Sequence, residues 1–177
     1  QEHWDNFLYV RDYLSPVPRP MNTTKTYGAD RNKFGHSDQD AVERFWRHLL
    51  AGAASIRFHR PPAGLGINDT AVKCIRTARL LEDIVPLWSL TPDNDALSER
   101  DANEAYASVF SGEVYVVYFP RQGSVKLRLP ESDRPWTLTW LHAGSAAREA
   151  EVNPGGLPDL ELTTPDGDNW IAVVQQR

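Results

Sequence analysis

The sequence predicts an α/β segment followed by an all-β segment, and three observations carry that reading. Up to Leu90, helical stretches with apolar residues at three- and four-residue steps alternate with two short polar strands, the order of a parallel sheet. From Ala102 the period falls to two, and seven short strand candidates crowd into ~75 residues, the signature of a small antiparallel β-sandwich. Between them lies Ser89–Ser98, rich in Pro, Asn and Asp, so the expected domains are 1-97 and 98-177.

Residues Glu2–Leu14 form the first helix, with Trp4, Phe7, Leu8, Val10 and Leu14 on its apolar face. The prolines of Ser15–Pro20 stop it, because proline lacks the amide hydrogen that a helix needs. Met21–Tyr27 reads as a polar strand closed by Gly28, open to two readings: a solvated edge strand, or a strand that ends at a binding site. Ser37 is the expected N-cap of the next helix, with Asp38 and Asp40 in its first turn and Val42, Phe45, Trp46, Leu49, Leu50 and Ala53 facing inward. A second short strand, Ser55–His59, alternates Ile56 and Phe58 with Arg57 and His59 before Arg60 and two prolines end it. Asn68 or Asp69 caps a third helix, whose face is expected to hold Ala71, Ile75, Ala78 and Leu81. Two parallel strands need covered faces and further neighbours, so this half reads as part of a larger α/β domain.

The seven later strands are Ala105–Phe110, Glu113–Phe119, Ser124–Leu129, Trp136–His142, Glu149–Val152, Leu160–Thr163 and Trp170–Val174. The breaks between them carry Gly, Pro, Asp and Ser, which is turn chemistry. Val114–Phe119 is apolar on both faces, as in a central strand; Trp136, Leu138 and Trp140 share one face. Core packing is the expected role of Trp136 and Trp140, whereas an exposed aromatic row would mark a binding module.

The chain has 177 residues, 41% of them hydrophobic and 24% charged, which suffices for a packed core. Its net charge of −5 and its scattered basic residues argue against nucleic acid as a partner. No stretch reaches the ~20 apolar residues of a membrane span. Cys74 is the single cysteine, which excludes an internal disulfide and a cysteine metal centre, and its setting predicts a packed thiol. The five histidines lack paired ligand spacing, so no metal is expected; the Gly64-Leu-Gly66 pair is too sparse for a phosphate cradle, so no cofactor is expected. Gln1 opens the chain without methionine, and a processed or truncated start is expected.

The side chains left for chemistry sit on strand ends: Asn22, Lys25 and Tyr27 on one, Arg57, His59 and Arg60 on the next. These residue types suit hydroxyl-rich or anionic ligands, since arginine donates in a fork and the others donate or accept in fixed directions. The plainer reading is a solvated sheet end.

Several segments resemble a family. Pro20-Met-Asn-Thr-Thr-Lys-Thr-Tyr-Gly28, then Ala41–Ala54 with its Phe45-Trp46 and Leu49-Leu50-Ala51-Gly52-Ala53, resemble the last quarter of a TIM-barrel glycoside hydrolase. The type is the bacterial one first described as collagenases, which includes apiosidase-like enzymes. Val116-Val-Tyr-Phe-Pro120 and Pro165-Asp-Gly-Asp-Asn-Trp-Ile-Ala-Val-Val174 resemble the small β-sandwich, labelled collagen-binding, that follows such barrels. The resemblance implies that Met21–Tyr27 and Ser55–His59 are the last two strands of a (β/α)8 barrel, with Gln1 and His3 near its mouth. It implies a carbohydrate substrate, a secreted or periplasmic location, and a missing N-terminal part of the barrel. Lys25 stands near the place where the family carries a catalytic Glu, so the catalytic residues stay unknown and the chain alone is expected to be inactive. Two functions therefore stand side by side: a fragment of a glycoside hydrolase, or a non-catalytic carbohydrate- or matrix-binding protein.

Overall fold

The structure, a computed structural model, describes residues 1–28, 33–60, 66–145 and 159–176. The expected strand Glu149–Val152 lies outside them. Helix α1 (Glu2–Leu14) leads through a proline-rich turn to strand β1 (Asn22–Thr26). Helix α2 (Asp38–Leu50), strand β2 (Ser55–Phe58) and helix α3 (Asp69–Ile84) follow.

Local chemistry sets these boundaries. Ser37 and Asp40 form a capping box on α2: the Asp40 carboxylate accepts from the Ser37 amide at 2.7 Å and the Ser37 hydroxyl accepts from the Asp40 amide at 3.2 Å. At the other end Gly52 takes a φ of 98° after the last turn. The Ala53 and Gly52 amides then bond back to the carbonyls of His48 and Leu49, a Schellman closure. Asn68 caps α3 through the Ala71 amide at 3.0 Å. Helix α3 buries Ala71, Cys74, Thr77 and Leu81, while Ile75 is exposed, so the buried face is rotated from the expected one. Burial pushes the Cys74 thiol up to about 12, which leaves it a packing group.

The remaining strands are antiparallel. Two-residue strands β3 (Thr91–Pro92) and β4 (Leu97–Ser98) precede β5 (Tyr106–Phe110), β6 (Val114–Phe119), β7 (Ser124–Arg128), β8 (Trp136–His142), β9 (Asp159–Thr163) and β10 (Trp170–Gln176). One sheet has the order β3-β5-β6-β10-β8, the other β4-β7-β9. The sheets enclose an apolar layer that includes Val117, Phe119, Leu127, Leu162 and Ala172. Trp136 and Trp140 belong to it, 1% and 7% exposed, so they offer no surface platform.

The barrel end expected from the resemblance is overturned. Among the described residues parallel pairing is confined to β1 and β2, and three α-helices accompany mostly antiparallel sheet. The helices do not wrap a barrel. They lie on the outer face of the five-stranded sheet, where Trp4, Phe45, Trp46 and Leu81 share one core with Tyr106, Val116, Tyr118, Leu141 and Ile171. The physical reason is the double apolar face of β6 and β10. Alternate side chains point to opposite sides of a strand, so a layer must cover each face, and the stripe of α2 supplies one. A polar clasp fixes this docking: Tyr118 donates to the Asn169 Oδ1 at 2.9 Å, and Asn169 donates to the Gln39 Oε1 at 2.6 Å.

Candidate functional site

Strands β1 and β2 run parallel, so their carboxyl ends open on the same side. Thr26 pairs with Phe58, both buried against the helices, and the His59 amide donates to the Thr26 carbonyl at 2.9 Å. The β1–β2 register is irregular between Thr23 and Thr26, and the preceding residues Lys25 and Arg57 are both exposed. With His59 and Arg60 they line a cleft of ≈ 250 Å³.

Tyr27 extends the site with an aromatic cluster. Its ring stacks on His59 at 5.0 Å and 26°, and on His36 at 5.7 Å and 28°. Phe34 stands edge-on to both Tyr27 and His59, at 5.2 and 5.8 Å, and is 65% exposed. Its backbone takes a φ of 62°, the left-handed region that bulky side chains rarely occupy. Gly28 makes the turn beneath the cluster possible. It has a φ of 116°, and a Cβ there would sit 2.1 Å from the Ser37 carbonyl oxygen and 2.8 Å from the Ala41 amide.

Arg44 ties the cluster to α2. Its Nε donates to the His3 Nε2 at 3.2 Å, and its Nη2 lies 3.1 Å from the His36 Nδ1. Arginine can only donate, so both imidazole nitrogens accept. His3 packs edge-on against His48, which is buried among His3, Arg44 and Phe7. Desolvation first, then the positive neighbours, push His48 down to about 4; His3 moves the same way for the same reasons. A second cleft, of ≈ 400 Å³, opens beside this pair along β1, with Asn22, Thr23, Thr24 and Lys25 on its wall. The buried His48 Nδ1 and Thr23 Oγ1 at this cleft have no hydrogen-bond partner among the described residues.

Of the six side chains singled out in the sequence, the structure gathers Lys25, Tyr27, Arg57, His59 and Arg60 at one strand end. Asn22 stands apart, at the opposite end of β1, where its Oδ1 accepts from the Ser55 hydroxyl at 2.8 Å. Gln1 lies away from the cleft, its side-chain oxygen accepting from Arg100 at 2.6 Å. Sequence reasoning missed Phe34, His36 and Arg44. The aromatic Phe34 beside Gly35, inside a polar run, is the signal that was there to be read.

Chemically the site can grip hydroxyls and anions and offer ring faces. The described residues lining the two clefts include no Asp or Glu, so they supply neither of the carboxyl groups that glycoside hydrolysis usually needs. Among the described residues no cluster of three or more His, Cys, Asp or Glu could hold a metal ion, and no helix is long and apolar enough to cross a membrane.

No protein-family model and no curated protein matches the chain. Its fold, however, is found in solved structures of the glycoside hydrolases. A chain described as a glycoside hydrolase superposes with a TM-score of 0.70 at 15% identity, over 97% of this chain and 46% of that one. A glycoside hydrolase family 5 structure from Bacteroides vulgatus gives a TM-score of 0.72 at 14% identity, over 97% and 45%. At such identity the likeness is one of fold. The chain spans less than half the length of either structure.

Proposed function

We propose that the chain is the sugar-binding part of a longer carbohydrate-active protein of glycoside-hydrolase type, and that sugars bind at the carboxyl ends of β1 and β2. The observation that carries this is the Tyr27–His59 stack beside Lys25, Arg57 and Arg60. Stacked rings give a sugar's apolar face a surface, and the cations and imidazole address its hydroxyls or acidic substituents. The fold shared with glycoside hydrolases supports the class. In this reading the carboxyl groups that cleave the glycosidic bond come from outside the described residues. The secreted or periplasmic location belongs to the same proposal.

The second reading, a non-catalytic carbohydrate- or matrix-binding protein, is favoured by the lack of Asp and Glu among the described residues that line the two clefts. In this second reading too the ligand is placed at the strand-end cleft rather than on the sandwich, because Trp136 and Trp140 are buried. The test is calorimetric titration of the chain with a panel of plant and bacterial oligosaccharides, alongside a reducing-sugar assay. Binding without hydrolysis is expected, weakened about tenfold by Tyr27→Ala, which removes the ring that backs His59 at the cleft wall. Failure of every oligosaccharide to bind would sink both readings, and hydrolysis by the chain alone would refute the division of labour.

A further inference from the structure

We propose that the strand-end cleft selects acidic sugars, taking the carboxylate of a uronate or the sulfate ester of a sulfated sugar between Lys25, Arg57 and Arg60. The proposal rests on the reading of this cleft as a sugar site and adds the class of sugar.

Three observations lead to it. The first is charge segregation. The chain holds 24 acidic and 19 basic residues, yet the described residues that line the cleft are three cations, His59 and Phe58, without an acid among them. The second is like-charge adjacency. Lys25 and Arg57 are both exposed at the end of this strand pair and line the same cleft, so two positive side chains stand close to each other. Neighbouring like charges across strands repel and cost stability. Some cations elsewhere are neutralised, as where Arg121 reaches Glu43 and Asp168, Lys126 reaches Glu99, and Arg134 reaches Glu113, while among the described residues isolated ones such as Arg19, Lys73 and Arg76 are not; what sets Lys25, Arg57 and Arg60 apart is that they line one cleft together. Among the described residues none of Lys25, Arg57 and Arg60 has an ion pair of this kind. A bound anion would relieve the repulsion, and two guanidinium groups can hold a carboxylate or sulfate through paired N–H donors.

The third observation separates an acidic sugar from a bare anion. Tyr27 lies against His59, and His59 lines the cleft, so a ring surface adjoins the cations. An inorganic anion uses the cations alone; an acidic sugar uses both.

The experiment is calorimetry on the chain with four probes: a glucuronic acid trisaccharide, its methyl ester, a sulfated glucose trisaccharide and inorganic sulfate. The acid is expected to bind about tenfold tighter than the ester, one charge-assisted contact's worth. The gap should narrow between 50 and 500 mM NaCl because exposed charges are screened. Arg57→Ala and Arg60→Ala should each close the gap while the melting temperature holds, since both side chains are exposed. Binding of the sulfated sugar in place of the uronate supports the proposal with sulfate as the anion. Equal affinity for acid and ester overturns the anion preference and leaves the sugar site standing. Binding of inorganic sulfate as tightly as any sugar overturns the proposal and the sugar reading together, as does binding of none of the four.

Discussion

In the five-stranded sheet, β6 and β10 bury Val116 and Val173 on one face and Val117 and Ala172 on the other, with hydrogen-bonded neighbours on both sides. Among the described residues strands β1 and β2 pair only with each other, bury Thr26 and Phe58, and leave Lys25 and Arg57 exposed. The two regions differ in how completely their polar groups are answered. Among the described residues, the buried side-chain atoms without a hydrogen-bond partner include Thr23 Oγ1, Thr26 Oγ1 and His48 Nδ1 on or beside β1, and Nε of Arg47 on α2, whose guanidinium lies over the Tyr106 ring of β5. Buried polar groups in folded proteins are nearly always paired, so the three such atoms gathered on or beside β1 leave that strand less completely satisfied than the antiparallel sheet. The antiparallel sheet and its helical cover hold the larger apolar cores, and the parallel pair bears the cleft proposed as the sugar site.

The contrast breaks most readily at the shared core. Trp46 is fully buried between α2 and the sheet, 6.2 Å from the Tyr118 ring, and its Nε1 donates to the Ala143 carbonyl at 3.3 Å. Trp46→Ala is expected to cost about 3–5 kcal/mol in chemical denaturation, the usual loss for a large buried aromatic. A loss under about 1 kcal/mol would mean that the helical layer is not held by this core.

Acid should reach the other region first. His48 is held at about 4 against an ordinary value of 6.5, so between these values the unfolded chain binds a proton that the folded chain refuses. Stability is therefore unaffected by this group above pH 6.5, falls as pH drops from there, and levels off below about 4. The full loss is roughly 3 kcal/mol, and His3 adds to it with the same sign. Urea midpoints measured from pH 7.5 to 4 should trace this fall, and His48→Gln should flatten it. A profile unchanged by that substitution would place the acid sensitivity elsewhere.

Much of this was legible in the sequence because period and caps are local. The two-residue alternation around Val114–Phe119 showed both faces apolar, and Ser37 and Asn68 announced the starts of α2 and α3. What covers an apolar face is a long-range fact that no local pattern states. The stripe of α2 and the outer face of β6 were each readable, but their contact was not, and a barrel satisfied the same stripe equally well on paper. Val10 was placed on the inner face of α1 for the same reason, and it is 45% exposed because α1 is buried chiefly through Trp4. At the site, charged residues on an alternating strand announced themselves. Phe34 and His36 did not, since a loop has no period and their meeting with Tyr27 depends on the turn at Gly28.

The smallest expected effect draws the sharpest line between the two regions. If Lys25 served the fold, removing it would cost stability, as trimming a side chain usually does. It is exposed, beside Arg57, and without an ion pair among the described residues, so its charge works against the strand pair. Lys25→Gln, which keeps length and polarity, should leave the denaturation midpoint unchanged or raise stability by up to ~0.5 kcal/mol at low salt. The gain should vanish in 0.5 M NaCl, where the Debye length is roughly 4 Å. A salt-independent loss of 1 kcal/mol or more would make Lys25 a structural residue and return the strand end to an ordinary solvated edge.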